Sequence, residues 1–432
     1  MVLVLGSLIF YAYGEPKYLP LLIVSVYVNY YIGLCLGSTK DYSRFAEEEA
    51  AGRRSGEKSK KILLVAAIVL NIGVLTLFKT HSGEWGLPLG ISFYTFQILS
   101  YLIDVYKGTI RCEKSLLRMA VYVTMFPKLL SGPIIGYQEV ERELSDRRVT
   151  AFGIQEGLKT FVLGLALKVL IADRVGYLWH EVQVTGFESI STGLAWLAAI
   201  AYSMKIYFDF YGYSLMAKGV GRMLGFQLPD NFNHPYMARS VREFYRRWHM
   251  TLGNWFCKYV YIPLGGSRGE EIQTIRNLLI VWVLTSLWHG NTSNFLIWGM
   301  LLWVCIVIER VVSKHEIGKE SVIFPHIYLW TVIPISWMCF AITDPYQLKI
   351  YLGRMFAIVP GVNIPAGDWQ EALQDYGWLL WLAVLGTTPL FEWLFKKLRR
   401  NFVGMLILAI LFWICVGRLL VEGNNPFMYF NF

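Results

Sequence analysis

Ten stretches of this chain are apolar for long enough, or nearly so, to cross roughly 30 Å of hydrocarbon: about 18 to 36, 62 to 78, 88 to 106, 116 to 135, 158 to 180, 191 to 211, 277 to 312, 323 to 342, 377 to 395 and 402 to 421. The run at 277 to 312 is long enough for two elements, so about ten or eleven crossings are expected. A chain patterned in this way folds as an all-α polytopic membrane protein, because a helix satisfies its own backbone inside lipid. A mean hydropathy of +0.43, with 55% hydrophobic and only 16% charged residues, agrees with that class. Residues 1 to 13 are apolar but short, with neither a basic leader nor a small-residue cleavage site. They read as mature membrane structure and not as a signal peptide.

The formal charge is +9, and its distribution matters more than its size. Basic residues gather at 39 to 61, at 239 to 276 and in "KKLRR" at 396 to 400, which assigns these segments to the cytoplasmic side. The 345 to 376 segment then lies outside. Membrane orientation accounts for the basic excess, so no nucleic-acid partner is implied. The six cysteines show no CxxC spacing, and nothing in the sequence suggests a disulfide or a metal site. No internal repeat is visible. The chain reads as one membrane domain over 1–432, with a mobile, solvated loop at 39 to 61.

Within "RSVREFYRRWHMTLGNWFCKYVYIPLGGSRG", the residues Val241, Phe244, Tyr245, Trp248, Leu252, Trp255, Phe256 and Tyr259 recur at helical spacing. They fill an arc of about 120°, so an amphipathic helix at the cytoplasmic interface is expected, with His249 about 20° beyond the arc's edge. The glycines of "IPLGGSRG" suit a tight turn and close approach. A second helix starts at Asn277 and reaches His289 about 18 Å later, less than the hydrocarbon thickness, which puts His289 near mid-membrane. The polar, turn-prone residues Gly290, Asn291, Thr292, Ser293 and Asn294 follow at once. Such backbone persists at this depth where it is buried in protein or lines a cavity.

Two such histidines suit acyl transfer, in which a base removes a hydroxyl proton as an acyl carbonyl is attacked. No GxSxG elbow is present, so direct transfer is expected over a covalent enzyme intermediate. His289 and His249 are the candidate catalytic residues. Trp288, Asn291, Trp248 and Asp209 are candidate substrate-binding residues. Asp209 lies four residues after Lys205, and that spacing suits a structural ion pair equally well. His81, His180, His315 and His326 fall at segment ends or loops, where a solvated role is the default.

The blocks "REFYRRWHMTLGNWFCKYVYIPLGGSRG" and "RNLLIVWVLTSLWHG", with "FPKLLSGPI", "YFDFYGYSLMAKGVGRMLGFQLPDNFNHPY" and "NPFMYFNF", resemble the membrane-bound O-acyltransferase family. The closer resemblance is to its bacterial branch that acetylates alginate and other exported polysaccharides, related to the teichoic-acid D-alanylation proteins. That resemblance implies His289 as the essential catalytic residue and His249 as the second characteristic histidine. It also implies a multi-helix fold with re-entrant or interfacial helices and a central tunnel in a bacterial inner membrane. The donor would be acetyl-CoA or another acyl thioester, with no bound cofactor. The acceptor would be an exported polysaccharide or cell-wall polymer, reached through an extracytoplasmic acyl-accepting partner protein or a small membrane peptide that docks near the aromatic terminus. The chain departs from its relatives at Cys257 and Lys258, at Leu215 and at Lys128, and keeps both histidines. The competing readings are D-alanyl transfer to teichoic acid, a secondary transporter using His289 and Asp209 as a proton relay, and a scaffold for an export complex.

Overall fold

The computed structural model of the chain describes residues 1–37, 50–130, 132–314, 321 and 323–422, and the regular structure among the described residues is helical throughout. By their contacts the described residues group into two compact units, 1–158 with 217–229 and 159–216 with 230–422. Residues 38–49, His315, and the aromatic terminus "NPFMYFNF" lie outside the described residues. Residues 50–61, expected within a loop, are the opening turns of the Ala50–Thr80 helix.

In the first unit the helices Leu19–Gly37, Ala50–Thr80 and Ile91–Lys107 pack on one another. Gly33 lets two of them approach closely, since a Cβ there would lie 2.7 Å from the Tyr101 ring. Asn29 and Asn71 exchange amide hydrogen bonds of 3.1 and 2.8 Å across the buried interface. Each amide spares the other a costly desolvation. Where the chain leaves the Ile91–Lys107 helix, the buried Glu113 carboxylate accepts from Arg118 Nε at 2.9 Å, Arg118 Nη2 at 2.8 Å and Ser115 N at 2.6 Å, and also from the Tyr137 hydroxyl.

Among the described residues, five helices are long and apolar enough to cross a membrane: Pro16–Gly37, Gly56–Thr80, Ser293–Ser313, Ile323–Ala341 and Phe402–Val421. A sixth span is possible if Asp368–Gly386 and Leu390–Leu398, bent by 80°, count as one. Ten or eleven were expected, and the remaining apolar runs fall in shorter or more polar helices. Some apolar runs are interrupted: 116 to 135 splits at Met125, where Pro127 opens the short Phe126–Leu129 helix. Others are buried in protein and not exposed to lipid, as in Ile91–Lys107, which hides Gln97, Ser100 and Asp104 among its apolar residues. In a protein of this size an apolar run marks burial against either lipid or protein.

In the second unit the 277 to 312 run is indeed two helices, Glu271–His289 and Ser293–Lys314, packed side by side. Gly299 makes this possible, because a Cβ there would sit 1.9 Å from Ser286 Oγ. The expected tight turn is also present: Gly265 and Gly266 have φ of 104° and 60°, and the Asn277 amide donates to the carbonyls of Leu264 and Gly266 at 3.1 and 3.0 Å.

The amphipathic helix expected across 241 to 259 is not continuous. It breaks after Val241–Arg247, restarts as Met250–Phe256 and ends in a π-helical stretch, Cys257–Tyr261. Upstream, a second π-helical stretch at Leu167–Ala172 follows the Ala151–Ala166 helix. On an α-helix, residues five apart point about 140° away from each other. Here Asp173 N bonds Lys168 O, and the wider turn brings the Asp173 carboxylate onto the Lys168 ammonium.

Candidate active site

His289 is the last residue of the Glu271–His289 helix. Gly290 follows in extended backbone, and a Cβ there would lie 2.3 Å from the Phe295 ring. The absent side chain lets the chain reverse at once into the next helix, bringing Phe295 and Trp298 over His289. The His289 ring centroid lies 4.9 Å from Trp288, 5.1 Å from Trp298, 5.2 Å from Phe340 and 6.2 Å from Phe295. Asn294 fixes this wall by donating from Nδ2 to Phe340 O at 2.7 Å, and Thr292 donates to its Oδ1 at 2.5 Å. Only 7% of His289 is exposed.

His249 sits at the helix break, with a left-handed φ of 43°. That conformation costs a non-glycine residue about 1–2 kcal/mol, although histidine tolerates it better than most. The surroundings hold it there. On one side of the break Asn233 N donates to Arg247 O at 3.0 Å, and on the other Met250 N donates to Asn231 O at 2.9 Å. Thr251 Oγ1 adds a bond of 2.6 Å to Asn231 Oδ1. The preceding Val241–Arg247 helix is fixed at its start, where the Glu309 carboxylate accepts from Val241 N at 2.5 Å and Arg242 N at 3.1 Å. His249 is therefore buried, at 3% exposure, and does not stand at the helix edge where an unbroken periodicity would put it. Its ring meets Phe210 edge-on at 4.7 Å and lies 6.2 Å from Trp288. Burial pushes its pKa down to about 3, so the imidazole is neutral at physiological pH.

Trp288 thus stands beside both imidazoles, and the two histidines share one aromatic enclosure. Trp248 belongs to it as well, 4.9 Å from Trp337 and 5.0 Å from Phe232. The enclosure is buried and lined mainly by aromatic rings. Charge developing in such surroundings interacts far more strongly with nearby dipoles than it would in water.

The other sequence candidates are placed differently. Asn291 is exposed, one residue past Gly290. Asp209 is buried and takes its salt bridge from Lys168 at 3.1 Å, where Lys205 was expected; Lys168 also holds Asp173. Asp209 precedes Phe210, the ring against His249, so it borders the enclosure. Lys168 was invisible to reasoning from α-helical spacing. Phe210, Trp298, Trp337 and Phe340 were also missed, because an aromatic residue in an apolar run gives no sign of which face it occupies. His234 is a further residue in left-handed backbone, with φ of 46° and Nε2 3.0 Å from Glu392 Oε2.

Comparison with known proteins addresses the chemistry. The profile of the membrane-bound O-acyltransferase family matches residues 110–316, which include both histidines. The chain is 33% identical to the probable alginate O-acetylase AlgI of Pseudomonas syringae over 390 residues, 86% of this chain and 71% of that protein. It is 32% identical to the peptidoglycan O-acetyltransferase of Helicobacter pylori, over 78% of this chain and 70% of that one. The teichoic acid D-alanyltransferase of Bacillus subtilis is 27% identical over 49% of this chain and 56% of its own length. Likeness that runs through most of the chain at this identity is more than a shared helical pattern, and the chain belongs to the membrane-bound O-acyltransferase family.

Proposed function

We propose that this chain moves an acetyl group from a cytoplasmic thioester, with acetyl-CoA as the reference donor, toward a hydroxyl of an exported polysaccharide or cell-wall polymer, and that His289 is the general base. The observation that carries this reading is the burial of His289 and His249 around the single indole of Trp288. An imidazole enclosed in this way suits a base that must take a proton from an alcohol with little competing water. In this reading the acceptor oxygen attacks the thioester carbonyl carbon as His289 takes its proton. The tetrahedral intermediate then collapses, the carbon–sulfur bond breaks, and the proton passes to the leaving thiolate. His249 positions the donor or relays a proton. Trp248 and Trp288 wall the acyl group, and Asn291 stands at the rim.

The acetyl assignment follows from the two O-acetylating relatives, which match more of the chain at higher identity than the D-alanyltransferase does. Asp209 has a salt-bridge partner in Lys168, which supports a structural part for it over a proton relay. We place the protein in a bacterial inner membrane, working with an extracytoplasmic partner protein or small membrane peptide that passes the acyl group to the polymer.

The test uses membrane vesicles carrying the full chain, supplied with radiolabelled acetyl-CoA and a hydroxyl acceptor. Label should reach an ester-linked product in the wild type and not in vesicles lacking the chain. Transfer from a D-alanyl thioester with none from acetyl-CoA would overturn the acetyl assignment.

A further inference from the structure

Trp298 lies in the Ser293–Lys314 helix and is 2% exposed. Its indole Nε1 is buried with no acceptor among the described residues. A buried indole N–H ordinarily finds a partner, and leaving one unmet costs about 1–3 kcal/mol. The ring cannot readily turn to find one. It is wedged 5.3 Å from Phe340, 5.7 Å from Trp282, 6.2 Å from Tyr245 and 6.4 Å from Trp337. The cost is borne next to the proposed base, with the His289 ring 5.1 Å away and nearly perpendicular at 83°.

We infer that the Trp298 N–H is a hydrogen-bond donor to the acyl carbonyl oxygen during transfer. This rests on the reading of His289 as the base and deepens it. As the acceptor oxygen attacks the carbonyl carbon, the π pair of the C=O bond moves onto its oxygen, and the acceptor's proton passes to His289. The indole N–H meets the oxygen at the moment its charge is largest. When the π bond re-forms, the carbon–sulfur pair leaves with the thiolate, which His289 protonates. A donor held in place by surrounding rings needs no reorganisation at that moment. The indole N–H is also uncharged, so it can stay in a buried enclosure without the desolvation cost that a lysine or arginine would impose.

The test is steady-state kinetics on the full chain in membranes, with two replacements at this position. Trp298→Phe removes the N–H and part of the ring. Replacement of Trp298 by 3-benzothienylalanine exchanges the N–H for sulfur and keeps the shape. Both should lower kcat about 10²-fold and leave the KM for the thioester within about threefold, in line with loss of one oxyanion donor. Activity within about threefold of wild type in the benzothienyl variant would overturn the inference, whatever Trp298→Phe does, since packing alone would then explain any loss in the latter. His289→Ala, assayed in parallel, separates the two readings. If it is inactive while the Trp298 variants are fully active, the donor role fails and the base stands. If it is active while the Trp298 variants lose kcat, the base assignment fails and the donor stands.

Discussion

Two buried polar sites in the second unit are built on opposite principles. Lys168 is surrounded by opposite charge, paired with Asp173 and with Asp209 at 3.1 Å. The two histidines are surrounded by rings, with Phe210, Trp288, Trp298 and Phe340 within about 5 Å of one or the other. A cluster that answers each charge is complete in itself and holds helices together. An enclosure lined largely by neutral rings sets its imidazoles in apolar surroundings, which suits the proposed chemistry better than it suits holding helices together. If this contrast is right, substitutions in the first should be read out as stability and in the second as rate.

The largest effect is expected at His289. His289→Ala should reduce acyl transfer by about 10²-fold to 10⁴-fold, the usual range for a general base, with unchanged thermal unfolding in detergent. Near-normal transfer would break the contrast at its catalytic end.

Asp209→Asn comes next and has the opposite signature. Removing one member of a buried ion pair costs about 3–5 kcal/mol, so a lower melting temperature is expected, with kcat in the surviving protein close to wild type. A normal melting temperature with lost activity would move Asp209 into the catalytic enclosure. Replacing Lys168, Lys205, Asp173 and Asp209 together by apolar residues of similar size should recover much of the lost stability, because no charge of the cluster is left unanswered.

His249 should fall between the two. His249→Ala removes an imidazole and places alanine in left-handed backbone, whereas His249→Asn keeps a residue suited to that conformation. The asparagine variant should therefore melt higher than the alanine variant by an amount matching about 1 kcal/mol, with both less impaired in rate than His289→Ala. Equal and complete loss of activity in all three would show that the histidines share their role.

The smallest effect concerns the first unit, where Glu113 is a charge-paired group with no part in the proposed chemistry. Burial raises its pKa, but hydrogen bonds from Arg118, Tyr137 and Ser115 more than offset this and hold the carboxyl below its ordinary value of 4.5. A depressed carboxylate contributes stability above its unfolded pKa and loses that contribution as pH falls through the folded value. Wild type and Glu113→Gln should thus differ most in melting temperature near neutral pH. The gap should narrow once the pH drops below about 4.5. A gap that widens on acidification would reverse the sign and exclude this account.

The helical membrane class and the two histidines were legible in the sequence because their signals are local. Long apolar runs can only be helices in lipid, and a histidine followed by five polar or turn-prone residues stands out in such a run. The Gly265–Gly266 turn was readable for the same reason. What was not legible depends on contacts between distant residues. The break at Trp248 and His249 carries no proline and is held by Asn231 and Asn233, which lie in a different segment. Periodicity therefore ran a single helix through it and left His249 at an interface when it is buried. Helical spacing pointed to Lys205, whose charge does act on Asp209, but could not show that the close salt bridge comes from Lys168 on another helix. The number of crossings was not legible either, because hydropathy cannot tell a lipid-facing run from one enclosed by protein.

The π-helical stretch at Leu167–Ala172 also bears on how this segment tolerates changes in length. It holds one residue more than an α-helical turn would need, and Lys168 meets Asp173 five positions on only for that reason. A chain lacking the half-buried Leu170 could close an ordinary turn over the same rise, with the lysine and the aspartate now four positions apart and still facing each other. Each residue downstream would keep its side of the helix. A chain one residue longer has no such outlet, since the slack is already taken up, and the Asp173–Thr185 helix would have to rotate by about 100°. On this geometry, losing one residue in the stretch should disturb the helix less than gaining one.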